Sequence, residues 1–172
     1  MTIKGLKGTS SQIVISGQVL ETAPSTFSEV EVDLTLNVLD REVFVVTAVD
    51  LNVFTPEAIA GINTSVGGSL STTSRTSQGS IADSNVIAAD NKTIKSAGYV
   101  DGGVSFSEQS PDSPVGTTLD YIAIIATNNF FAQCTGIANV ATRGMNFRVW
   151  GFRARADANI YSALVQSELL SA

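Results

Sequence analysis

Between Glu29 and Val38 the chain alternates without an error: Val30, Val32, Leu34, Leu36 and Val38 are apolar, and Glu29, Glu31, Asp33, Thr35 and Asn37 are polar. A period of two predicts a β-strand with the first set in a core and the second facing water or a partner. A turn at Leu39-Asp40-Arg41 follows. Arg41 to Phe54 then reads as a second long strand, with Val43, Val45, Thr47, Val49 and Leu51 on one side and Phe44, Val46 and Ala48 half-buried on the other. These two segments predict the strongest hairpin in the chain. Upstream, Ile13, Ile15 and Val19 share a face opposite Gln12, Ser16 and Gln18, a strand with one wet side.

Thr55-Pro56-Glu57-Ala58-Ile59-Ala60-Gly61 has a cap residue, a proline at the first helical position and a closing glycine, which predicts a short helix near 55–61. From Asn63 to Asn85 the chain is rich in Ser, Thr and Gly, the composition of a linker or a polar edge strand, and reads as an ordered excursion packed on a neighbour. Val86 to Ala89 and Gly98 to Phe106 are shorter strand candidates, and Ser107 to Thr118, with two prolines, is an exposed loop. Leu119 to Thr127 is apolar on both faces, the mark of a central strand covered on both sides. Phe130 to Gly136 and Met145 to Arg155 complete the strands. Asp157 can then cap a helix with Ile160, Tyr161, Leu164, Val165 and Leu169 at helical spacing. That helix lies either on its own sheet or on another subunit.

Eight or nine strands with almost no helix before the end define an all-β chain. The expected architecture is an antiparallel two-sheet β-sandwich in the form of a single jelly roll. An immunoglobulin-like sandwich is the alternative, but its Cys–Trp–Cys framework is missing. The parts are an N-terminal arm over 1–11, the sandwich over 12–155 and a C-terminal helix or arm over 156–172.

Charged residues make up only 15% of the 172, against roughly 25% in ordinary soluble domains. Weak surface charge promotes association, so much of the outside is expected to be covered by copies of the chain. The net charge of −6, with only Lys4 and Lys7 near the amino terminus, argues against strong direct nucleic-acid binding. The opening residues lack the apolar core of a secretory signal, and no run reaches the roughly 18 apolar residues of a membrane span. The chain is therefore expected to be made as a soluble cytoplasmic protein.

The chain has no histidine and one cysteine, Cys134. Ser-His-Asp and Cys-His nucleophile systems, histidine metal triads and cysteine-built clusters all need atoms that are not there. Cys134 follows Phe130, Phe131 and Ala132 and reads as a small buried hydrophobe. No phosphate loop or dinucleotide fingerprint occurs. Paired carboxylates remain: Glu29, Glu31 and Asp33 share a strand face, which is first of all a solvated face. Asp101, Asp112 and Asp120 lie in or beside loops without the spacing of a calcium loop. No catalytic residue, cofactor or metal ligand is assigned, and the chain is not expected to be an enzyme.

Charge is most uneven near the carboxyl end. Arg143, Arg148, Arg153 and Arg155 interleave with Phe147, Trp150 and Phe152. Such a strand suits an inter-subunit seam, where arginine and aromatics are enriched. It also suits Arg stems lying over aromatic faces within one domain, or nucleic-acid stacking. As a seam it would comprise Arg143, Arg148, Trp150, Phe152, Arg153, Arg155 and, from the terminal helix, Tyr161, with Glu29, Glu31 and Asp33 of an adjacent subunit as partners.

With its Ser/Thr/Asn-rich loop at 63–85 and the closing strand Phe147-Arg-Val-Trp-Gly-Phe-Arg-Ala-Arg, the chain resembles small single-jelly-roll viral capsid (coat) proteins. The resemblance is one of overall character and covers most of the chain. It implies a structural virion protein that self-assembles into a closed shell, with copies of itself and other capsid proteins as partners. The absent basic arm departs from small RNA-virus coats and would suit a genome packaged by other proteins or enclosed by an internal membrane. The alternative is a non-catalytic β-sandwich binding module, carbohydrate-binding or adhesive.

Overall fold

The computed structural model describes residues 3–96, 98, 106–109 and 119–170, the 106–109 stretch by its backbone. Its strands are β1 (Leu6–Gly8), β2 (Ile13–Leu20), β3 (Ser28–Asp33), β4 (Glu42–Val53), β5 (Thr64–Ser71), β6 (Val86–Lys95), β7 (Phe106–Gln109), β8 (Ala123–Ile125), β9 (Asn129–Ile137) and β10 (Gly144–Ala156). A 3-10 turn at Val38–Asp40 precedes β4, and one helix, α1 (Ala158–Leu170), follows β10.

All pairing is antiparallel. In the first sheet β10 carries β1 and β2 along one edge and β4 along the other, and β4 carries β8; the second runs β3-β9-β5-β6-β7. The pairs β2:β10, β3:β9, β4:β8 and β5:β6 nest the first strand with the last and the middle two together. A long hairpin doubled on itself and then rolled has this connectivity, so the sandwich is a jelly roll. Between the sheets lies the main core, with Phe44, Val46, Leu51, Val66, Leu70, Ile125, Phe130, Met145 and Phe147 among its members. The Phe130 and Phe147 rings meet edge to face at 6.0 Å.

The roll overturns the predicted hairpin. β3 pairs with β9 in one sheet, and β4 pairs with β10 and β8 in the other. Alternation continues past Asp33 because Leu34 and Leu36 stay buried while the chain crosses between sheets. In the crossing, Leu36 N–H donates to Asn128 Oδ1, and the Arg153 guanidinium donates to the Leu34 and Thr35 carbonyls. Side chains thus satisfy backbone groups that a ladder would otherwise serve.

Nor does β4 keep one face throughout. Trp150 stands opposite Ala48 and Gly151 opposite Val46, which leaves Thr47 as the extra residue of a β-bulge. Thr47 Oγ1 donates to the Trp150 carbonyl at 3.1 Å. Before the bulge Phe44 and Val46 enter the main core; after it Leu51 and Val53 do, with Val49 packed alongside. Val43 and Val45 face the other way, into a second core with Leu6, Ala126, Ala154 and Ala156.

Helix α1 covers that second core with Ile160, Tyr161, Leu164 and Val165, so the terminal stripe packs on its own sheet. Asp157 caps it, its Oδ1 accepting Ile160 N–H at 2.9 Å. Leu169, expected in the stripe, is exposed, and Glu168 takes the buried place. The segment expected as an N-terminal arm contributes β1, whose Leu6 lies beneath the helix.

Three further expectations change. Residues 54–61 form no helix: Glu57 N–H goes to Asn139 Oδ1, its carbonyl to Thr64 Oγ1, and its carboxylate to a neighbouring loop. A helix would need the backbone groups committed there. The Ser/Thr/Gly-rich stretch contains β5, a central strand, because both layers approach closely: a Cβ at Gly68 would collide with Met145 and one at Gly67 with Gln78. The rest of that stretch, 72–85, folds back on its own sheet through Ser74, Arg75 and Gly79. Finally, β8 is covered on both faces, by the main core at Ile125 and the second core at Ile124, but it is an edge strand and not a central one. Of the segments 98–106 and 107–118, β7 occupies 106–109, and the remainder lies almost wholly outside the described residues.

Candidate interaction surfaces

Three of the four carboxyl-terminal arginines hold their own chain together. Arg143 pairs with Glu57 at 2.9 Å, and Arg155 pairs with Asp40 at 3.1 Å. Arg153 lies 3.6 Å from Glu42 while donating to the crossing at Leu34 and Thr35. Phe152 and Tyr161 pack in the second core. The carboxylates expected on an adjacent subunit are also engaged within the chain. Glu29 accepts from Ser74, Arg75 and Gln133; Glu31 accepts from Asn129; and Asp33 accepts Thr35 N–H. Of the seven residues expected in the seam, five are thus engaged within their own chain, Arg155 while its side chain stays 53% exposed.

Exposed Arg148 and half-buried Trp150 stand side by side. The register sets them on the outside of the first sheet in three cross-strand rows: Gln18–Asn146–Asn52, Ser16–Arg148–Asp50 and Val14–Trp150–Ala48. Arg148 lies 5.8 Å over the Trp150 ring and donates to Ser16 Oγ, and Gln18 donates to Asn146. A shallow depression of about 350 Å³ lies over Ser16, Asp50, Asn146 and Arg148.

The two ends of the roll carry a different feature. At one end the loop between β9 and β10 is held by two carboxylates. Glu21 accepts Gly136 N–H and Arg143 N–H at 2.6 and 2.7 Å, while Glu57 accepts Val140 N–H and Ala141 N–H. The Val140 and Ala141 amides, with the Arg143 guanidinium beside them, hold the Glu57 carboxyl below the usual range. Asn139 adds bonds to Ser65 and Ile137. On this pinned loop Val140 is 75% exposed. At the opposite end Leu39 is 95% exposed on the 3-10 turn, although that turn is fixed by Asn37, Glu42 and the Arg155–Asp40 pair.

Other sites give little chemistry. Cys134 is buried, its thiol pushed up to about 12 by desolvation, as its apolar context predicts. Among the described residues no three of Cys, Asp and Glu gather to hold a metal ion, and Asp101 and Asp112 lie outside those residues. No described helix is long and apolar enough to cross a membrane. A cavity of about 230 Å³ opens beside β8, lined by Asn85, Ile87, Ile122, Ile124, Leu164 and Glu168 among others. Glu168 accepts Ala126 N–H and Thr127 N–H at 2.9 and 3.0 Å, and burial raises its pKa.

Sequence reasoning passed over Glu21, Glu57, Asn139 and Glu168. Only Glu168 left a signal, standing four residues after Leu164 and seven after Tyr161 on the buried stripe. The others bind across long sequence separations that no local pattern encodes. No protein-family model, curated protein or solved structure matches the chain.

Proposed function

We propose that this chain is a structural subunit that assembles with copies of itself into a closed protein shell, the coat of a virion. Jelly rolls build viral coats, lectins and cupins alike, so fold alone does not choose among them. The observation that carries the reading is the pair of pinned tips. A network of carboxylates and amides, buried at Glu21 and Asn139 and partly open to water at Glu57, fixes one loop and presents Val140 to water; an ionic and amide network fixes another and presents Leu39. A neighbour's surface would bury these two side chains and gain the apolar area they now expose to water, and because both tips are already fixed the contact would cost little ordering entropy. Charged residues are only 15% of the chain, so few ionised side chains would have to be desolvated where copies meet.

Multi-angle light scattering with negative-stain microscopy tests this. Purified wild-type chain should form particles of many copies, and Leu39→Asp or Val140→Asp should give folded, smaller species. A wild type that stays monomeric at its highest soluble concentration overturns the reading.

A second reading has one specific support: the row of Trp150 beside exposed amide and hydroxyl side chains resembles a platform on which a sugar ring could stack. A monomer that binds glycans, and loses that binding in Trp150→Ala, would favour it.

A further inference from the structure

Each sheet edge of a sandwich is a row of backbone donors and acceptors open to another strand, and proteins blunt such edges with charge, shortness or cover. Among the described residues this chain does so at every edge but one. β3 carries Glu29, Glu31 and Asp33. β8 has three residues, followed at once by amides that Glu168 occupies. β1 has three residues including Lys7, and β7 has four.

Among the described residues β2 has none of these protections. It is eight residues long, about 26 Å, and pairs only with β10. No charge and no proline occurs from Gly8 to Leu20. Among the described residues, no backbone group outside β10 bonds to Ile13–Leu20. The strand's outward row includes two large apolar side chains half in water, Val14 at 52% and Leu20 at 50% exposure.

We infer that the open edge of β2 pairs antiparallel with β2 of a second copy, joining two first sheets into one across a twofold axis at Gly17. The sequence of the strand selects both partner and register. Opposed residues of antiparallel neighbours point to the same side, so only registers that match outward with outward residues are allowed. Centred on Gly17, Val14 meets Leu20 of the second copy and Ser16 meets its Gln18 on the outer side. Ile15 meets its Val19 on the inner side. Centred on Ser16, the register would set Val14 against Gln18 and Leu20 against Gln12; centred on Gln18, it would set Leu20 against Ser16 and Val14 against Thr22. Both oppose apolar to polar side chains. A strand that reads as its own complement about its centre fits a second copy of itself, the requirement of a twofold contact. Gly17 is bare because Phe147 packs against it from within, so the axis passes through a flat point of the edge.

This inference rests on the shell reading, since it names one contact of that assembly. It is tested with the double variant Val14→Cys, Leu20→Cys under mild oxidation, read on non-reducing gels beside light scattering. Within one chain the two positions are about 20 Å apart and cannot join; across the axis they stand directly opposite, within disulfide reach. Buried Cys134 gives no background. The double variant should cross-link to a dimer, and each single variant should not, because like positions lie far apart in this register. Separately, Val14→Lys with Leu20→Lys should weaken dimerisation about tenfold or more while circular dichroism stays unchanged. Large particles without the cross-link overturn the edge pairing and leave the shell reading standing. A cross-linked species that stops at two copies upholds the pairing and overturns the shell. A monomer without cross-links overturns both.

Discussion

Glu168 tests how the terminal helix is fastened. Its carboxylate receives the Ala126 and Thr127 amides from the chain just beyond β8, so one side chain closes a sheet edge and anchors α1. Replacing it with alanine removes the acceptor of both bonds. The buried Ala126 amide then has no acceptor, while the Thr127 amide is half-buried and can take water. An unsatisfied buried donor costs about 1–3 kcal/mol, and removing the carboxylate recovers part of its desolvation, so the net loss should be about 2 kcal/mol. For a chain of this length that lowers the melting temperature by about 4–8 °C. The pH dependence follows from the raised pKa, whose first cause is burial. The folded state holds the proton more tightly than the unfolded state, whose pKa is near 4.5. Stability from this group is therefore fully present below that value and declines as pH rises through the folded pKa. Urea unfolding at pH 4.5 to 8 checks both points, with Glu168→Gln as the non-titrating control. Wild type should lose stability relative to Glu168→Gln as pH rises. A Glu168→Ala variant within about 0.5 kcal/mol of wild type, or a pH slope identical in wild type and Glu168→Gln, would refute the anchoring role.

The bulge and the lone thiol give two more expectations. Thr47→Val should cost about 1 kcal/mol in chemical denaturation, through the lost bond to the Trp150 carbonyl. Deleting Thr47 should abolish cooperative unfolding in circular dichroism, because it turns buried Phe44 and Val46 away from the main core and Val43 and Val45 into it; a cooperative deletion variant would show that the parity switch is not needed. Cys134, with its thiol held near 12, should resist a thiol reagent at pH 8 in the native protein and react fully in guanidinium. Fast labelling of folded protein would contradict its burial.

The shell reading and the edge pairing differ in what they ask of the molecule. The first needs the pinned tips at Leu39 and Val140 to find cover; the second needs only β2. Their assays therefore fail separately, and a dimer without a shell is as informative as a shell without that dimer.

Strand identity was legible in the sequence wherever side-chain period and backbone role coincide. β2, β9 and β10, the capped helix after Asp157, the buried Cys134 and the jelly-roll class all follow from alternation, capping chemistry and composition. Pairing was not legible. Leu34 and Leu36 alternate like strand residues although they plug a crossing, because burial sets the pattern and hydrogen bonding does not. β5 reads as a linker or a polar edge strand because glycine and serine are what two closely approaching layers leave room for. The single extra residue at Thr47 reverses the faces of β4, and nothing near it in sequence announces a bulge. The arginines followed the same rule: their type and spacing were plain, but Arg143, Arg153 and Arg155 find their partners at Glu57, Glu42 and Asp40, some hundred positions away in the chain. A sequence encodes what each residue prefers to touch, water or apolar neighbours. Which neighbours it meets depends on how the chain is rolled, and only the tertiary structure supplies that.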